Sequence, residues 1–108
     1  MNAKPTNRSK RSFRGVFVAL VTPMNSDEEV EYPQLAALTD HLIHQGVHGL
    51  VPLGSTGEYY ALSADERERV LRTTLEAAAG RVPVVPGTNA GSTRDVIAFS
   101  RQAEKLGS

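Results

Sequence analysis

Five consecutive residues, Gly54-Ser55-Thr56-Gly57-Glu58, carry the clearest chemical potential in this chain. The two glycines permit unusual dihedrals and let another group approach the backbone closely. Successive backbone N–H groups in such a turn can hold an anion. The Ser55 and Thr56 hydroxyls add donors that can bind a carboxylate or relay a proton. Glu58 has the chemistry of a general base, although an acid just before a helix is more commonly a solvated group. The lysine of a phosphate-binding G-x-x-x-x-G-K-[ST] loop is missing, and so is the third glycine of a dinucleotide fingerprint. Two readings stand on local chemistry. One is a grip for a small anionic substrate. The other is a βα turn that uses glycine for geometry and hydroxyls to satisfy its own backbone.

The flanking sequence supplies elements to position this loop. Val16 to Val21 is a continuous apolar run rich in β-branched residues, which predicts a strand buried on both faces. Pro33 suits a first helical turn, and Leu35, Leu38, Leu42 and Ile43 recur with helical spacing up to a stop at Gly46. The pattern then repeats. His48 to Leu53 reads as a second strand, ending where the Gly54 loop begins. Ser63 and Glu66 have capping-box spacing, with Val70, Leu71, Leu75 and Ala78 as the apolar stripe and Gly80 as the stop. Val82 to Val85 reads as a third strand, weakened by Pro83 as the second is by Pro52. Ser92 is placed to cap a third helix through Val96, Ile97, Ala103 and Leu106, with Gly107 as its stop. Alternating strands and helices with short links give an α/β class with a parallel sheet. In such folds ligands sit beyond the carboxyl ends of the strands, where Gly54 to Glu58 would lie.

Composition excludes more than it selects. Twelve basic residues balance twelve acidic ones, so charge gives no reason to expect nucleic acid or a membrane surface as partner. Absence of cysteine rules out disulfides and thiolate metal sites and suits a reducing cytoplasm. Residues 1–14 carry five basic residues, no acid and no apolar stretch of a secretory signal, which reads as a disordered basic tail ahead of a domain over 15–108. His41, His44 and His48 would lie at the far end of the sheet from the Gly54 loop, so no metal site is expected of them. Tyr59 and Tyr60 are expected to pack under the loop or at a subunit contact.

Three segments together, "GVFVALVTPM", "GLVPLGSTGEYYALSADERERV" and "VPVVPGTNAG", resemble the opening of the dihydrodipicolinate synthase and N-acetylneuraminate lyase family. The resemblance runs from about Gly15 to the end. It implies a TIM (β/α)8 barrel, of which residues 15–108 hold about the first three βα units. It implies a class I lyase or synthase that forms a Schiff base with pyruvate or a related 2-oxo acid, with no cofactor. In this light Ser55 and Thr56 would bind the substrate carboxylate, and Ser55 would join a proton relay. Gly54 and Gly57 would shape the loop, and Ala19 would line the pocket. A tetramer made of dimers is implied for the complete chain.

The imine lysine and the acid/base tyrosine of the family lie in later strands. Lys4, Lys10 and Lys105 are the only lysines here, and none has a setting that would lower its pKa. The 108 residues alone are therefore expected to be inactive, and with open sheet edges not to form a stable monomer. Two alternatives remain open. One is a sugar-acid dehydratase of the same family, suggested by Tyr60. The other is a non-catalytic barrel fragment with an anion-binding turn.

Overall fold

The computed structural model describes residues 13–108. Most of the basic tail assigned to 1–14 lies outside the described residues. The first apolar run forms a strand only over Phe17–Ala19 (β1), and the second only over Gly49–Val51 (β2). The two pair in parallel, with Val18 opposite Leu50 and Ala19 opposite Val51. Bonds from His48 N to Val16 O at 2.8 Å and from Leu20 N to Val51 O at 2.9 Å extend the ladder at both ends.

The strand expected over Val82 to Val85 is reduced to a single parallel bridge between Leu50 and Val84. Leu50 N donates to Pro83 O at 3.0 Å, and Val85 N donates to Leu50 O at 2.9 Å. Pro83 on this segment and Pro52 on the β2 side have no N–H to offer across the pair, so a longer regular ladder cannot form between them. The segment still runs beside β2 as the third line of the sheet.

Three helices cover one face of this sheet: Tyr32–His44 (α1), Ala64–Ala78 (α2) and Thr93–Leu106 (α3). Their termini follow local chemistry. Pro33 sits in the first turn of α1, although Glu31 ahead of it makes no side-chain cap. The Ser63–Glu66 capping box is formed in both directions, at 2.8 and 3.1 Å. Ser92 accepts from Asp95 N at 3.2 Å. Gly46 and Gly107 take φ of 94° and 100°, and α2 ends on a left-handed pair, Ala79 and Gly80.

Leu20, Leu50 and Val84 from the sheet meet Leu35, Val70, Leu71, Ala78 and Ala103 from the helices in one core. The sheet is not buried on both faces as expected. Ala19, Val21 and Val85 are exposed on the other face, because all three helices lie on one side. The α3 stripe also differs from expectation. Ile97 is exposed, while Phe99 is half-buried on the line of Val96, Ala103 and Leu106. Steps of three and four residues from Val96 pass through Phe99, and Ile97 falls about 100° away from that line. Among the described residues no helix is long and apolar enough to cross a membrane.

One ion pair ties α1 to the end of α2. Arg81 Nη2 donates to Asp40 Oδ1 at 2.9 Å and to Ala77 O at 2.7 Å, while its Nε donates to Ala78 O at 3.0 Å. The Arg81 hydrogen bond holds the Asp40 carboxyl below its ordinary value, with His44 assisting. A lowered carboxyl contributes stability above its unfolded pKa and loses it as pH falls through the folded one. Asp40 is therefore expected to titrate below 3.8 by NMR, and Arg81→Gln to move it back upward. An unshifted Asp40 would show that the pair does not form in solution.

Candidate substrate-binding corner

Beyond β2 the chain continues through Pro52 and Leu53, both buried. Leu53 has φ of 65°, a left-handed conformation that a branched side chain rarely adopts. It turns the chain out of the sheet and into Gly54. The turn then closes on itself. Gly57 N donates to Gly54 O at 3.1 Å, Glu58 N to Ser55 O at 3.0 Å, and Tyr59 N to Gly54 O at 3.4 Å. Glu58 is also left-handed, with φ of 56°, and leads into a 3-10 turn over Tyr59–Ala61 that the sequence pattern did not reveal. Two strained residues held by this many bonds mark a backbone over-determined by its surroundings.

Ser55 and Thr56 form the exposed tip of the turn. Among the described residues neither hydroxyl is engaged in a hydrogen bond. Both are therefore available to an incoming acceptor. The two glycines play different parts. A Cβ at Gly57 would come within 3.0 Å of Leu20 O and 3.1 Å of Thr22 Oγ1, a tight approach that glycine relieves. A Cβ at Gly54 would meet nothing within 4 Å, which leaves open space beside the backbone at the start of the turn. Ala19 ends β1 on the exposed sheet face, in register with Val51.

Neighbouring elements hold this corner from both sides. Thr22, buried after β1, donates its hydroxyl to Gly57 O at 2.7 Å. On the other side Gly87 N donates to Pro52 O at 2.8 Å. Arg67 of α2 is only 6% exposed, and its Nη1 donates to Asn89 O at 2.8 Å. Its guanidinium lies 3.7 Å from the Phe99 ring centroid and 5.4 Å from that of Tyr59. Burial pushes the Arg67 pKa down, and the Tyr59 phenol acts in the opposite direction.

Sequence reasoning missed both holders. Thr22 read only as the end of a strand, and its one signal was a hydroxyl directly after an apolar run. Arg67 lies in "ADERERV", where charged residues suggest a solvated face, so its burial had no signal. Tyr59 is half-buried beside Arg67, whereas Tyr60 is 69% exposed, edge-on to Tyr59 at 5.5 Å. Tyr60 thus does not pack beneath the loop. His41, His44 and His48 are exposed, and His48 Nδ1 accepts from Val16 N at 2.9 Å, near the amino end of β2. Among the described residues no three His, Asp or Glu side chains converge as metal ligands would.

Known proteins share this fold. Residues 12–108 match the model of the dihydrodipicolinate synthetase family. A 4-hydroxy-tetrahydrodipicolinate synthase from Chelativorans is 45% identical over 95 residues, covering 88% of this chain and 32% of that protein. One from Neisseria gonorrhoeae is 46% identical over 94 residues, covering 87% of this chain and 32% of that protein. The chain thus spans about a third of the length of these curated relatives. Among solved structures, the chloride-inhibited dihydrodipicolinate synthase from Acinetobacter baumannii, complexed with pyruvate, superposes with a TM-score of 0.87 at 37% identity. That match covers 90% of this chain and 33% of the other. The N-acetylneuraminate lyase from Mycoplasma synoviae superposes at 0.82 with 29% identity, covering 87% of this chain and 32% of the other. The three βα units therefore form part of a TIM barrel, and the chain belongs to the dihydrodipicolinate synthetase family.

Proposed function

We propose that these residues supply the carboxylate-binding corner of a lyase or synthase that acts on pyruvate or a related 2-oxo acid through a lysine imine. The observation that carries the reading is the turn itself. Ser55 and Thr56 present exposed hydroxyls on a backbone fixed from both flanks, at the carboxyl end of a parallel strand. The solved relative from Acinetobacter, described as a complex with pyruvate, supports the choice of a 2-oxo acid. Hydroxyl donors to a carboxylate are charge-assisted and directional, and they would orient the adjacent ketone.

The chemistry then needs an amine from a later strand of the barrel. Its nitrogen attacks the ketone carbon, the oxygen leaves as water, and an iminium forms. Loss of a proton from the neighbouring carbon gives an enamine, which adds to an aldehyde; the reverse sequence cleaves a 2-oxo acid. In this scheme Ser55 binds the carboxylate and passes a proton, while Thr56 binds only. Ala19, with its small side chain, leaves the strand mouth wide enough for the acid to enter.

Borohydride reduction in the presence of pyruvate tests the reading in the complete protein. The expected result is a covalent mass gain on one lysine and loss of activity. Residues 1–108 in isolation are expected to give no such adduct, since Lys105 lies in the exposed last turn of α3. Absence of any adduct in the complete protein, with pyruvate and other 2-oxo acids, would refute imine chemistry.

A further inference from the structure

We infer that Thr22 is a positioning residue for the carboxylate-binding turn, a role that rests on the reading of Ser55 and Thr56 given above. Thr22 is 7% exposed, and its hydroxyl reaches across 35 residues to the Gly57 carbonyl at 2.7 Å. That carbonyl belongs to the peptide between Gly57 and Glu58. Glu58 is left-handed, so the orientation of this peptide plane decides where the turn points. Gly57 N is meanwhile fixed on Gly54 O at 3.1 Å. Ser55 and Thr56 lie between these two anchors, and the Thr22 bond is the one that refers them to β1.

The sequence around Thr22 prepares it for this role. Pro23 restricts the preceding residue to extended backbone. Branching at Cβ stiffens the threonine side chain at χ1. Pro23 O also accepts from Glu31 N at 2.8 Å, which ties the segment to the start of α1. Removing the hydroxyl leaves the buried Gly57 without its side-chain donor, and an unpaired buried carbonyl turns toward whatever donor it can reach. The turn would then lose its alignment while the core beneath it stays filled.

The test uses the complete protein and pyruvate, reading the pyruvate concentration for half-maximal borohydride trapping and the limiting trapping rate separately. Thr22→Val, which matches the shape and lacks the donor, is expected to raise the half-saturating concentration about tenfold. The limiting rate is expected to fall less than in Ser55→Ala, because the Ser55 hydroxyl is displaced and not removed. Thr22→Ser, which keeps the donor, is expected to restore wild-type saturation. Should Thr22→Val fail to fold, Thr22→Ala against Thr22→Ser makes the same comparison, and equal saturation in those two overturns the role. Wild-type saturation in Thr22→Val, or an equal shift in Thr22→Ser, also overturns it. Wild-type protein that traps neither pyruvate nor any other 2-oxo acid overturns the reading of the corner and the positioning role with it.

Discussion

Ser55→Ala and Thr56→Val are each expected to raise the pyruvate concentration for half-maximal trapping by about 10- to 150-fold. The range follows from the loss of one donor to a charged group, about 1.5–3 kcal/mol. Both residues are exposed and lie outside the core, so thermal stability should move by no more than about 0.5 kcal/mol. The two variants should differ in rate. Ser55→Ala is expected to slow the limiting step as well, because its hydroxyl also passes a proton in the proposed scheme. Thr56→Val is expected to leave the limiting rate nearly unchanged. Wild-type saturation and rate in both variants, with normal folding, would return the turn to a purely structural role.

The second large effect is expected at Gly87. Its amide donates to Pro52 O, and a Cβ placed there would run into the Leu53 carbonyl and approach Gly54 N at 3.2 Å. These are backbone atoms, which cannot swing aside as a side-chain tip can. Gly87→Ala must therefore push the third line of the sheet away from β2, or push Leu53 and Gly54 out of place. Overpacking of this kind typically costs about 1–3 kcal/mol. The strained Leu53 beside it makes the upper part of that range the expected one. Thermal unfolding would report the loss of stability, and pyruvate trapping would report the displaced turn. Unchanged values in both would mean that the two backbones separate without cost, contrary to the close packing seen here.

What the sequence reveals about this molecule is governed by distance along the chain. The Ser63–Glu66 box, the Ser92 cap and the glycine stops are interactions within a few residues, and residue type decides them locally. Leu35, Val70 and Leu71 were legible because helical spacing puts them on one face. The turn at Gly54 to Glu58 stood out through its small polar residues. The third strand was overread, since an apolar run does not show how far Pro83 and Pro52 interrupt the ladder. Ile97 and Phe99 were exchanged because both are apolar and two residues apart. Thr22 and Arg67 were missed for one reason: their partners, Gly57 and Asn89, lie 35 and 22 residues away. No local pattern marks a hydroxyl or a guanidinium for burial when a distant carbonyl is what stabilises it.

The bonds that frame the binding corner also set an order of assembly. Thr22 meets Gly57 across 35 residues, and Gly87 meets Pro52 across a similar span. Closing loops of this size carries an entropy cost that grows only with the logarithm of their length. Synthesis runs from the amino end and delivers all of these partners early. A nascent chain therefore holds every partner of this corner once Gly87 has emerged. Ala19, Val21 and Val85 face outward on the uncovered side of the sheet. The turn that carries Ser55 and Thr56 and the uncovered apolar face that includes Ala19 thus belong to one unit framed by these two bonds.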